Sequence, residues 1–327
     1  MKQILPRVLR AAAAAALVVL GAGAQAQGAF PTRPITLIVP FAPGASADGI
    51  ARIVARDLSA SLGQPVVVEN KPGAGGATGL IQVSKSVPDG HVIGLGATGA
   101  IVVNPNLPEP SALKPQTDLA TVAKLADIPL VLVAGSKAGY ANLRDFLEKA
   151  RSSPGGVNMG NSGQYTSQHL AGELLADMGK VKTVAVPYRG SGPAVTDLLG
   201  GQLPLAVVDL TSAYPHIKAG TLRALGVTSA ARTKVAPEIP TIAEAGVPGY
   251  SADGWMGLFA PAQTPPAVLE RLAQAVREAM GKPEVQAQIV ALSAEPAYLA
   301  PAAFSGYIAA ESTKWAAVIK TIPAPPK

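Results

Sequence analysis

Phe41-Ala42-Pro43-Gly44-Ala45-Ser46-Ala47-Asp48 follows the apolar run Ile35 to Val39 and precedes a helical pattern, so a strand empties into a turn that opens a helix. The first N–H groups of a helix have no partner inside it and carry partial positive charge, which makes such a turn a seat for a carboxylate. Ser46 is the expected N-cap, Asp48 falls in the first helical turn, and the amides of Ala45 to Ala47 stay free. Pro40 and Pro43 stiffen the turn. A second turn, Asn70 to Gly79, carries four glycines from Gly73 onward, for close backbone approach to a ligand or for turning alone.

The second half repeats the arrangement. Asn158-Met159-Gly160-Asn161-Ser162-Gly163-Gln164-Tyr165-Thr166-Ser167 leads into a helix carrying His169 and Leu170. Ser162, Thr166 and Ser167 either donate to a second anionic group or supply the N-cap. In Tyr188-Arg189-Gly190-Ser191-Gly192-Pro193, Arg189 either clamps a carboxylate or is solvated or paired elsewhere. Asp209 ends a buried strand and would repel an acid directly; it holds a water, caps the helix after Thr211, or meets a ligand amine.

Other chemistries lack their residues. Gly73 to Gly79 has no Gly-Lys-Ser/Thr, so it is not a nucleotide loop. Gly94-Leu95-Gly96-Ala97-Thr98-Gly99 matches G-x-G-x-x-G, but Pro105, Pro108 and Pro110 forbid the long helix a dinucleotide needs; the segment reads as a strand-end loop with Thr98 facing a cleft. His91, His169 and His216 lack metal-ligand spacing, no serine sits in a nucleophile elbow, and there is no cysteine. Asp57, Asp145, Glu148 and Glu270 lie on helix faces among Lys and Arg, where solvation explains them. No cofactor and no metal is expected.

The elements that must position these turns are regular. Ile35 to Val39, Val66 to Val68, Val92 to Leu95, Leu130 to Ala134, Val184 to Val186, Leu205 to Val208 and Leu225 to Val227 read as short buried strands. Helical patterns alternate with them: Ile50 to Leu62 closed by Gly63, one from Asn142, Leu170 to Met178 closed by Gly179, one from Pro266, and a last from Pro301 to about Ile319 before a Pro-rich tail at Pro323. This alternation implies an α/β fold with one or two mostly parallel sheets. The expected division is a signal peptide over 1–26, a first domain from 31–128 plus 227–327, and a second from 129–226, with a hinge and ligand cleft where the chain crosses twice. Lys2, Arg7 and Arg10 before an apolar run from Ala11 to Leu20 and small residues at Ala22, Ala24 and Ala26 give the leader its pattern. The formal charge is +6; without the leader, 24 basic face 21 acidic residues, or +3, with no basic stripe and few aromatics, which argues against nucleic acid.

These segments resemble the extracytoplasmic receptors of the tripartite tricarboxylate transporter family, the Bug receptors. The likeness rests on Pro34 to Gly44, Val67 to Gly76, Pro88-Asp89-Gly90, His169 to Leu174, Pro187 to Gly190 and Leu258 to Ala262, in the family's usual order. It implies a two-domain, type II periplasmic-binding-protein fold closing on a small organic acid. It also implies carboxylate contacts from Ala42, Gly44, Ala45, Ser46, Ala47 and Asp48, helped by bridging waters, with the far end of the ligand met by Ser162, Gly163, Thr166, Ser167 and Asp209. Relatives commonly carry Gly where this chain has Ala45, which raises the question of positive φ there.

Residues and resemblance together lead to the expectation of a monomeric, exported, non-enzymatic binding protein. Its ligand would be a di- or tricarboxylate, an amino acid or an aromatic acid, taken for uptake or sensing with a membrane component. The alternative is an exported hydrolase or isomerase using Ser162 or Ser46 with His169.

Overall fold

The computed structural model describes residues 30–321, so the expected leader over 1–26 and the tail from Pro323 lie outside the described residues. Among the described residues no helix is long and apolar enough to cross a membrane.

Two sheets form. The first has the order β11-β4-β10-β3-β1-β2 and the second β7-β6-β8-β5-β9. β1 is Ile35–Val39, β2 Val66–Asn70, β3 Val92–Ala97, β4 Leu119–Ile128, β5 Leu130–Gly135 and β6 Val157–Asn161. β7 is Thr183–Pro187, β8 Leu205–Asp209, β9 Leu222–Val227, β10 Gly254–Pro261 and β11 Glu295–Leu299. The seven apolar runs are all strands, but the sheets are mixed and not mostly parallel. β1 pairs in parallel with β2 and β3, while β10 enters between β3 and β4 antiparallel to both. In the second sheet β5 is antiparallel to β8 and β9, because β4 runs straight into β5 across Pro129 and reaches the sheet from the other lobe.

The helix Ser46–Leu62 buries Ile50, Val54, Leu58 and Leu62 against the first sheet, and Gly63 ends it in a left-handed conformation, φ 69°. Each such side chain contributes roughly 1.5–3 kcal/mol relative to exposure. The helix Ser167–Gly179 ends one residue later than its Gly suggested: Lys180 takes the left-handed position, φ 53°. Gly179 instead lets Leu147 pack closely, within 2.8 Å of where its β-carbon would stand. The last helix, Pro301–Thr321, docks on the first sheet through buried Phe304, Ile308 and Trp315.

β4 of the first sheet meets β5 of the second across Pro129, and the chain rejoins the first sheet with β10 at Gly254. Residues 228–252 cover the second sheet. Thr228 N–H donates to Leu130 O at 2.9 Å, Val227 N–H to Pro240 O at 2.9 Å, and Tyr250 Oη–H to Ala171 O at 2.7 Å. β9 is the sheet's edge, and Ala236, Ile239 and the one-turn helix Ile242–Ala245 shield it.

Candidate functional site

Three helices point their N-termini into one cavity of about 50 Å³ between the lobes. The first helix, Ser46–Leu62, has Ala45 in its N-cap position with no side-chain cap. Its first helical bond runs from Gly49 N–H to Ala45 O at 3.0 Å, so the amides of Ser46 and Ala47 have no acceptor. The second helix, Ser167–Gly179, is capped by Thr166, whose Oγ1 accepts from His169 N–H, and Ser167 and Gln168 line the cavity with free amides. The third, Ser191–Gly200, has Gly190 in its N-cap position with no side-chain cap. Each terminus carries about half a positive charge, and no Lys, Arg or His side chain lines the cavity. Anion attraction there comes from the main chain.

Asp209 ends β8 in the cavity wall. Its Oδ2 accepts from Ser46 Oγ at 2.6 Å across the lobes, its Oδ1 accepts from Ser191 Oγ, and its own N–H donates to Ser191 Oγ at 3.2 Å. Burial pushes its pKa up, and the Ser46 hydrogen bond works against that rise. No side-chain cap joins it to the helix Leu210–Lys218.

The structure places Ala45, Ser46, Ala47, Ser162, Thr166, Ser167 and Asp209 in the cavity wall. Ser46 is not an N-cap; it is the first helical residue, and its hydroxyl is spent on Asp209. Ala45 sits at φ −69°, where a β-carbon is free of strain; the positive φ, 82°, falls on Gly44. Ala42, Gly44, Asp48 and Gly163 do not line the cavity. Asp48 stitches the first turn to the second, accepting from Gly44 N–H at 3.0 Å, Arg52 Nε at 3.0 Å and Asn70 Nδ2 at 2.9 Å. Burial opposes its charge, but those bonds outweigh it and hold its pKa below the ordinary value. Gly163 donates its N–H to Asn161 Oδ1 at 2.9 Å.

Thr98 does not face the cleft. It is fully buried and its Oγ1 accepts from Trp255 N–H at 2.9 Å, tying β3 to β10, while its neighbours Ala97 and Gly99 line the cavity. The segment after it is no open loop; a wide helical turn, Gly99–Val103, leads into a tight one, Asn104–Asn106. Arg189 is exposed and makes no ion pair among the described residues, and its turn contributes Gly190 and Ser191 instead. Sequence reasoning also missed Gln168, Gly75, and Trp255 with Met256 on β10. Gly75 had a signal in the glycine density of the second turn, whereas Trp255 and Met256 had none. The Trp255 indole N–H is buried without a partner.

His169 is largely shielded, its pKa pushed down to about 4 by loss of water, and its Nδ1 accepts from Tyr165 N–H at 3.1 Å. Ser162 donates to Thr166 Oγ1 and Ser46 to Asp209, so neither serine meets His169. Among the described residues no group of three or more His, Cys, Asp or Glu could hold a metal.

Residues 50–323 match the family described as "Tripartite tricarboxylate transporter family receptor". A protein encoded in the tcbD-tcbE intergenic region of Pseudomonas sp. strain P51 is 40% identical over 96% of this chain and 93% of its own length. A Rhodopseudomonas palustris protein solved with adipate is 33% identical, with a TM-score of 0.84 over 89% of this chain and 98% of that one. MatC from the same organism, solved with bound malate, is 31% identical, with a TM-score of 0.82 over 89% of this chain and 100% of that one. With mixed two-lobed sheets and a cavity built on helix N-termini, the chain belongs to the tripartite tricarboxylate transporter family receptors.

Proposed function

We propose that this protein is a periplasmic receptor that closes its lobes around a small carboxylate-containing metabolite and presents it to a membrane transporter or sensor. The observation that carries the reading is the meeting of three helix N-termini, with free amides and no cationic side chain, in one interlobe cavity. Hydrogen bonds to a charged group contribute about 1.5–3 kcal/mol each, so three or four approach the roughly 8 kcal/mol of a micromolar site. The R. palustris relatives solved with malate and adipate support a di-acid ligand. Ser46, Ala47, Ser167, Gln168 and Ser191 are the donors this reading assigns to the ligand, with Ser46–Asp209 joining the lobes beside it.

The protein captures its ligand without transforming it. A hydrolase needs a serine activated by a base, and the three side chains available for that role are engaged elsewhere. Calorimetry and thermal shift against malate, adipate, citrate, glutamate and nicotinate test the proposal. One of them is expected to bind one-to-one at micromolar strength or tighter, raise the melting temperature, and be recovered unchanged. Absence of any shift across the panel, or consumption of the acid, would overturn it.

A further inference from the structure

At the loop 163–166 the second lobe meets the first through main chain. A β-carbon added to Gly75 would stand 3.2 Å from Gln164 O, and one added to Gly99 would stand 3.0 Å from Tyr165 O and 3.2 Å from Thr166 Cα. The loop 163–166 therefore seats in a notch that exists because both first-lobe residues lack side chains. Contact this close depends on the loop's position to a few tenths of an ångström.

That loop is held in a conformation it would not keep alone. Tyr165 has a left-handed φ of 61°, which residues with a β-carbon seldom adopt without a partner. The partner is His169. Its Nδ1 accepts from Tyr165 N–H at 3.1 Å, its ring stands edge-on to the Tyr165 ring at 5.8 Å between centroids, and its own N–H donates to Thr166 Oγ1 at 3.4 Å. One residue thus closes the turn through both side chain and backbone.

The imidazole can accept because it is neutral. Burial pushes its pKa to about 4, and with Nδ1 accepting, the single ring proton falls to Nε2, 3.6 Å from Glu173 Oε1, a carboxyl that burial pushes up. The strands alongside contribute Met159, Asn161, Thr183 and Ala185 around His169, none of which titrates.

We propose that His169 is a positioning residue whose Nδ1 lone pair fixes the 163–166 backbone in the register that lets the second lobe close on Gly75 and Gly99. Its effect on affinity rests on the receptor reading; its effect on the loop does not. His169→Phe keeps a ring of similar size without the acceptor, while His169→Asn places an oxygen near the Nδ1 position. Hydrogen exchange at the Tyr165 amide without ligand, and calorimetry with malate and adipate, separate the two variants. His169→Phe is expected to lose Tyr165 protection and weaken acid binding about tenfold, with His169→Asn restoring both to within about threefold. Equal protection in both variants, or equal loss of affinity, would overturn the assignment. If the wild type binds neither acid while exchange follows the expected pattern, the loop role stands and the ligand class falls. Nitrogen NMR of the wild type adds an arm free of mutation: His169 protonated on Nδ1 would refute the proposal outright.

Discussion

Two polar regions lie between the lobes and treat charge in opposite ways. The cavity holds one carboxylate, Asp209, tied to serine hydroxyls, with free amides around it and no cation. The lobe crossings hold a cluster that uses most of its groups on one another. Lys124 Nζ pairs with Asp127 at 2.6 Å and lies 4.2 Å over the Tyr307 ring, and Lys314 pairs with Glu311 at 3.3 Å. Glu311 also accepts from Trp315 Nε1, and Glu295 accepts from Thr233 Oγ1 and Lys234 N–H. Acid exceeds base here. Burial pushes Asp253 up to about 6, and it makes no hydrogen bond or ion pair among the described residues; burial also raises Asp127 despite Lys124. A region that pairs most of its charges internally, Asp253 apart, holds the crossings together, whereas one that leaves donors unspent has room for a charged guest.

The largest expected effect tests whether the cavity works by closure. Gly99→Val puts branched carbon against Tyr165 O and Thr166 Cα at a site whose own backbone tolerates it, so the strain falls on the lobe contact. An overpacking cost of roughly 3 kcal/mol means about a hundredfold loss of acid affinity by calorimetry, and opening of the lobes should raise the radius of gyration in solution scattering. Unchanged affinity would mean the guest is held without this closure.

Ser46→Pro comes next. Proline fits the first helical position, so the helix survives, but one free amide and the Asp209 hydroxyl partner are both lost. Affinity is expected to fall by about ten- to a hundredfold, the loss of one or two bonds to charged groups. A variant that binds as the wild type does would show that this helix terminus is not the seat.

The crossing cluster should respond in stability instead. Unfolded Asp253 releases its proton near pH 4 while the folded group keeps it to about 6, so between those values the folded state binds the extra proton. Stability contributed by that group therefore falls as pH rises through this window, and the penalty is complete above it. Asp253→Asn should add about 2 kcal/mol by urea unfolding at about pH 8 and almost nothing at about pH 4. A gain independent of pH would point to packing instead of charge.

How much of this was legible follows from how local each feature is. The turn at Gly44 to Asp48 and the helix behind it are written in consecutive residues, and so is the Thr166–His169 start of its counterpart. Ser46 was misread as a cap because its true partner, Asp209, is 163 residues away in the other lobe. Asp48 drew attention as a site residue, yet its acceptor capacity goes to Arg52, Asn70 and Gly44, and two of these three are also near in sequence. Trp255 and Met256 were invisible because β10 reaches the first sheet only after the excursion over 228–252, and nothing near Gly254 announces its neighbours β3 and β4. Ser191 was overshadowed by Arg189, whose charge is more conspicuous than a hydroxyl at a helix start.

Arg189 supplies the smallest expected effect and the sharpest check on the contrast. If the cavity attracts acids through helix termini, an exposed guanidinium beside the wall adds little, since solvent screens it and ordering it costs entropy. Arg189→Ala should leave affinity within about twofold at physiological salt, with a slightly slower association rate at low salt where long-range attraction is felt. A tenfold loss at physiological salt would show that the side chain swings inward when the acid arrives. The cavity would then balance its guest with a cation, much as Lys124 balances Asp127, and the distinction between the two regions would disappear.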